Sequence, residues 1–192
     1  MKKIIRIIQD EDSENPRESF DQVGTFLFKH KNYELGDKNF SSGSNLLDEI
    51  EKIKEEAGGE DKLFIYPVFM MDHSGLTLSM SDFMFKAFDQ QGWDWGTVGF
   101  IYITKEKAES ECPKDEDLEK WVVKILESEI EQLNQWLNND VWGWILEETT
   151  TCPECKHEHT EQLESVWGYY GKDFCIEMAK EDHPHIPIEG EE

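Results

Sequence analysis

The chain has 192 residues, of which 43 are acidic and 19 basic, for a formal net charge of -24. A field of that sign repels nucleic-acid phosphates and attracts basic surfaces, so direct nucleic-acid binding is disfavoured. A hydrophobic content of 38% with 7 Trp and 11 Phe excludes a disordered chain, and no apolar run reaches the length of a membrane span.

Read in chain order, Met1 to Ile8 is basic and then apolar, too short for a signal peptide, and predicts a first strand, Lys3 to Ile8. Asp10 to Arg17 reads as an acidic loop, Val23 to His30 as a second strand and Asn32 to Ser44 as a polar loop. Ser44 is placed to cap a helix carrying Leu46, Leu47, Ile50, Ile53 and Ala57 at helical spacing, stopped by Gly58-Gly59. Lys62 to Met71 has the continuous apolar character of a buried central strand. Leu76 to Ser81 pairs back on it through the turn Asp72-His73-Ser74-Gly75.

Phe83 to Trp95 reads as aromatic and irregular, followed by a strand over Gly96 to Thr104 and a short helix over Lys105 to Glu109 capped by Thr104. Asp117 opens the longest helix. Leu118, Trp121, Val122, Ile125, Leu126, Ile130, Leu133, Trp136 and Leu137 form its apolar stripe, and Lys120, Glu127, Glu131 and Asn134 fall outside it. Val141 to Leu146 and Gln162 to Tyr170 read as the last strands, with Trp142-Gly143-Trp144 paired to Trp167-Gly168-Tyr169. A helical turn over Phe174 to Ala179 and a mobile tail from Glu181 complete the chain. These elements define an α+β fold with a mainly antiparallel sheet, one long and one shorter helix, as a single domain over 1–192. A metal-binding hairpin over 149–161 is inserted within it.

That hairpin carries the most specific motif, Cys152-Pro153-Glu154-Cys155-Lys156-His157-Glu158-His159. Thiolates and imidazoles suit a borderline-soft ion, and a C-x-x-C turn lets both sulfurs face one point. Cys152, Cys155, His157 and His159 are therefore the expected ligands of a structural zinc ion. The tight spacing strains a tetrahedron, which leaves Cys175, Cys112, His183 or His185 as substitute ligands or a second site. Reduced, solvated thiols with incidental histidines are the alternative. Neither H-E-x-x-H nor the H-x-E with P-C-x-x-C order of zinc deaminases is present.

Asp72, His73 and Ser74 resemble a hydrolytic set in composition, but neighbours in one turn do not converge as a triad does, and Asp and Gly are ordinary turn residues. No catalytic residues are assigned. The carboxylates of Glu109, Glu111, Asp115, Glu116, Asp117, Glu127, Glu129 and Glu131 ring the long helix. They read either as a solvated face or as a row of charges imitating phosphates.

Several stretches resemble a family of small acidic proteins of bacteriophages and mobile elements. They are Gln9 to Arg17, Asp72 to Ser79, Trp93 to Lys107, and Asp140 to Trp144 with Trp167 to Gly171. Most members have no assigned activity, and their last two strands join through a short polar turn, so the family does not account for the cysteines and histidines. The chain is similar in kind to anti-CRISPR proteins. The resemblance implies a cytoplasmic inhibitor in the host cell that binds the basic surface of a CRISPR effector nuclease and blocks target-DNA binding or loading, with no membrane partner. Rival readings are a DNA-mimic anti-restriction inhibitor of another host enzyme, a zinc hydrolase using Asp72, His73 or Glu158, and a metal-stabilised accessory protein.

Overall fold

A computed structural model describes residues 2–41, 43 and 45–190. The elements in chain order are β1 (Lys2–Gln9), α1 (Pro16–Ser19), β2 (Thr25–Lys29), β3 (Lys38–Phe40), α2 (Leu46–Ala57), β4 (Leu63–Asp72) and β5 (Leu76–Ser79). There follow α3 (Phe83–Phe88), β6 (Trp95–Thr104), α4 (Lys105–Glu111), α5 (Leu118–Leu137), β7 (Val141–Thr151), β8 (Glu158–Tyr170) and α6 (Lys172–Asp182). The architecture is α+β with mainly antiparallel sheets. Where the sequence reading has one domain, the chain sorts into two compact units: Asn15–Asn134, and the two chain ends, Met1–Glu14 with Gln135–Glu192.

The Asn15–Asn134 unit is built on a five-stranded sheet in the order β3-β2-β6-β4-β5. Only β2 and β3 run parallel; the other neighbours are antiparallel. Side chains alternate between the two faces of a strand, and here both faces are covered. On one face Leu46, Ile50 and Ile53 of α2 pack with Leu27, Leu63, Ile65, Phe100 and Tyr102. The alternate residues Phe26, Phe28, Ile101 and Ile103 are fully or almost fully buried on the other face. There α5 buries Val122, Leu126, Ile130 and Leu133, and Leu126 comes so close that a Cβ on Gly24 would lie 2.3 Å from its Cδ2.

The expected cap Ser44 lies outside the described residues. Asn45 caps α2, its side chain accepting from the Leu47 N–H, and Gly58 closes the helix in the left-handed region with φ 87°. Thr104 caps α4 as its position predicts. The stretch from Phe83 to Trp95 is not wholly irregular, since α3 occupies its first half. Two short elements, α1 and β3, lie in stretches that read as loops. The first is nucleated by Asn15, whose side chain accepts from the Arg17 N–H, and by Pro16 at the first helical position.

The second unit is a three-stranded antiparallel sheet, β1-β7-β8. Trp142 pairs with Tyr169 across β7 and β8, as the matched Trp-Gly motifs predict. One face carries Ile5, Trp144 and Leu146, closed by Cys175 and Ala179 of α6 and by Ile188. The tail is not loose as expected. Helix α6 continues to Asp182, and Ile188 is buried beside Ile5. The backbone is held by Ile5 N–H to Pro187 O at 2.9 Å and Glu189 N–H to Ile5 O at 2.8 Å. Among the described residues, no helix is long and apolar enough to cross a membrane.

Candidate functional site

Two places in the molecule gather chemistry-bearing side chains, and each lies within one unit. The first is the tip of the β7–β8 hairpin. The ladder runs without a break from Glu147↔Gln162 to Thr151↔Glu158, so Cys152 to His157 occupy the turn that joins the strands, and Glu158 and His159 open β8. Cys152 N–H donates to His157 O at 2.8 Å and Lys156 N–H to Cys152 O at 3.0 Å. Lys156 closes the turn with φ 60°. The backbone N–H groups of Cys155 and Glu154, and then the Cys155 thiol, are directed at the Cys152 sulfur and hold its thiol below the ordinary value. Successive N–H groups converging on one point form a concavity for an anion, here a thiolate.

The structure brings the four expected ligands together as two pairs. The two cysteines meet through their sulfurs, and the rings of His157 and His159 lie 4.9 Å apart at 71°. Among the described residues, no three His, Cys, Asp or Glu side chains already form a metal-holding group.

Of the substitute ligands, three lie elsewhere in the same unit. Cys175 packs against Leu146 in the core of its unit, and burial pushes its thiol up to about 11. His183 sits against Trp144, ring centroids 5.1 Å apart, with Nε2 3.3 Å from Glu164. Leu146, which pairs with Glu164, is six residues along β7 from Cys152, or about 20 Å at the rise of a strand. His185 is exposed beyond α6. Cys112 belongs to the Asn15–Asn134 unit.

The second place joins the turn Asp72 to Gly75 to the stretch that begins at Trp93. His73 Nδ1 and Asp94 Oδ2 are 2.9 Å apart, and Asp72 N–H donates to Asp94 O at 2.8 Å. The turn reading of Asp72 to Gly75 holds: Ser74 has φ 60°, and His73 N–H donates to Gly75 O at 3.1 Å. The loop before Asp94 is organised by one carboxylate. Asp89 accepts from the N–H groups of Trp93 at 2.6 Å, Gln91 at 3.0 Å and Asp94 at 3.1 Å. These bonds, that of Asp94 foremost, lower its carboxyl below the usual range.

Around this loop the apolar side chains face outward. Phe83 is 74% exposed, Met84 72%, Phe88 64% and Trp93 82%, while Phe85 of the same helix turns inward against Trp95. Phe88 lies edge-on to His73 with centroids 5.3 Å apart. The patch is bordered by Asp82, which pairs with Lys86, by Asp89, and by Asp94, which pairs with His73. An adjoining groove of about 410 Å³ is lined by Lys29, His30, Lys31, Asp72, Trp93 and Trp95 among others. Nothing in the sequence separates these aromatic residues from core ones, because α3 is too short for its spacing to mark an exposed face.

The long helix differs from its sequence reading at two acidic-face positions. Glu129 is not part of a solvated row of carboxylates. It is buried and accepts from Arg17 Nη1 at 2.9 Å, from Val23 N–H at 2.6 Å and from Gly24 N–H at 3.1 Å. Asn134 is not outside the buried face either: its amide accepts from Leu78 N–H at 2.7 Å and donates to Leu78 O at 2.9 Å.

The molecule is thus an α+β protein of two compact units. One carries an acid-rimmed aromatic patch and the other a cysteine–histidine hairpin tip. No protein-family model matches the chain, and no curated protein and no solved structure matches it.

Proposed function

We propose that the protein is a non-catalytic inhibitor that acts in the host cytoplasm by binding the basic surface of a CRISPR effector nuclease and blocking target-DNA binding or loading. The observation that supports this reading is the exposed group Phe83, Met84, Phe88 and Trp93 beside Asp82, Asp89 and Asp94, on a chain of net charge -24. Aromatic and Met side chains are enriched at the centre of protein interfaces, where they supply the buried area. The surrounding carboxylates would steer the encounter toward a positively charged channel of the kind that holds a guide–target duplex.

Binding to a purified effector, measured at low salt and again near 1 M salt, tests this. At about 1 M the Debye length falls to roughly 3 Å, so steering by exposed charge is largely lost. Association should be strong at low salt and weaken with added salt. Trp93→Ala and Phe88→Ala should each weaken it by about tenfold or more, the size of an interface anchor. Absence of binding at low salt would sink the proposal.

A further inference from the structure

We infer that the β7–β8 hairpin tip binds one zinc-class divalent ion through Cys152, Cys155, His157 and His159, with the sulfur pair and the imidazole pair arranged separately and joined by side-chain rotation. Three observations carry this. The first is the cysteine turn. Lys156 adopts φ 60°, a conformation that disfavours a non-glycine residue by about 1–2 kcal/mol. It closes the turn in which the N–H groups of Glu154 and Cys155 face the Cys152 sulfur. A turn serving only to reverse the chain has no use for two donors aimed at a thiol.

The second is strand register. Thr150 pairs with His159 and Thr151 with Glu158, and the bond from Cys152 N–H to His157 O carries the ladder one pair further. Side chains alternate faces along a strand. Cys152, His157 and His159 therefore share one face of the hairpin, and Glu158 points to the other. Three of the four ligands are thus placed on one side by the existing backbone pairing.

The third is the spacing of the imidazoles. Two rings bound to one tetrahedral zinc through nitrogens at about 2.0–2.1 Å have their centroids about 5 Å apart. His157 and His159 stand at 4.9 Å with their planes at 71°. Two sulfurs and two imidazoles complete the four positions of a closed structural site, whose binding free energy goes into ordering the turn.

The test is a titration of the intact, reduced chain with Co²⁺ as a spectroscopic probe, followed by displacement with Zn²⁺. One ion per chain is expected, with tetrahedral d–d bands and thiolate-to-cobalt charge-transfer absorption. Cys152→Ser and Cys155→Ser should abolish the charge-transfer bands or halve them with a large loss of affinity. His157→Ala and His159→Ala should each shift the d–d bands and weaken binding by more than the roughly 10–100-fold that loss of an outer-shell partner costs. Cys112→Ser should bind as the parent does. The near-UV circular dichroism of the chain's seven Trp shows that each variant is folded. Failure of the parent chain to take up metal, or uptake of one ion per two chains with no effect of either histidine, would overturn the inference.

Discussion

Arg17 donates from Nη1 to Glu129 Oε2 at 2.9 Å, and the two side chains are 1% and 4% exposed. The other two nitrogens of the guanidinium donate as well. Nε donates to Asp37 at 3.0 Å, Nη2 to the same carboxylate, and Nη2 again to Gly24 O at 2.8 Å. Asp37 in turn accepts from Phe26 N–H at 2.6 Å. One cation thus ties the first turn of the unit to α5 and to the start of β2.

Arg17→Ala leaves the buried Glu129 carboxylate without its cation and should destabilise by about 3–5 kcal/mol. Glu129→Ala should cost less, because Arg17 keeps Asp37 as a counter-charge. The double variant should cost less than the sum of the two, because the Arg17–Glu129 interaction is lost in each single variant and is counted twice in the sum. Urea unfolding of the four proteins gives both numbers.

Asn134 uses its amide as a substitute strand, accepting from and donating to the Leu78 backbone. Asn134→Leu keeps the volume and removes both bonds, leaving a buried N–H and C=O on β5 unpaired. A cost of about 1–3 kcal/mol per stranded group is expected. Amide exchange at Leu78 should accelerate more than that at Ile101 in the middle of the sheet.

Gly99 and Gly96 lie on the same strand and should respond oppositely to alanine. A Cβ on Gly99 would lie 2.0 Å from the carbonyl oxygen of Leu27, a backbone atom held in the β2–β6 ladder, whereas one on Gly96 meets nothing within 4 Å. Gly99→Ala should cost at least the roughly 1–3 kcal/mol of an overpacked core. Gly96→Ala should be neutral, or stabilising by up to about 1 kcal/mol through the unfolded chain. Thermal unfolding separates the two.

Asp89 couples the aromatic patch to pH. Its carboxyl is lowered by the N–H groups of Asp94, Trp93 and Gln91, so its contribution is complete above the unfolded carboxyl value of about 3.9. It is lost as pH falls through the lower folded value. Trp93, the most exposed aromatic side chain of the patch, should report this as an acid-side fluorescence transition. Asp89→Ala should abolish that transition, because the Trp93 backbone N–H loses its acceptor at every pH.

Long elements were legible because their patterns repeat. The stripe of α5, the apolar runs of β4 and β6 and the Trp-Gly motifs of β7 and β8 each carry several residues that agree on one face. The short elements α1, β3 and α3 were not, because three to six residues hold too little period to read. The tail was misread for a related reason: Ile186 and Ile188 look isolated among polar residues, and only the groove beside β1 makes them core. Of the hairpin tip, the cysteines and histidines and their place between two strands were legible, but their grouping into a sulfur pair and an imidazole pair was not.

By itself the sequence determined the charge of the surface, the α+β class and the cysteine–histidine turn, since these follow from composition, local period and spacing. Tertiary structure alone decided which carboxylate is buried. Glu127, Glu129 and Glu131 look equivalent along the helix, yet Glu129 is the one that meets a guanidinium among the described residues, brought by Arg17, 112 residues earlier. It also decided which aromatic residues face outward. Phe83 and Phe85 differ by two positions on one short helix, and the sheet beneath takes one and leaves the other to solvent. Burial is a property of what packs against a side chain, and that neighbour is remote in the chain.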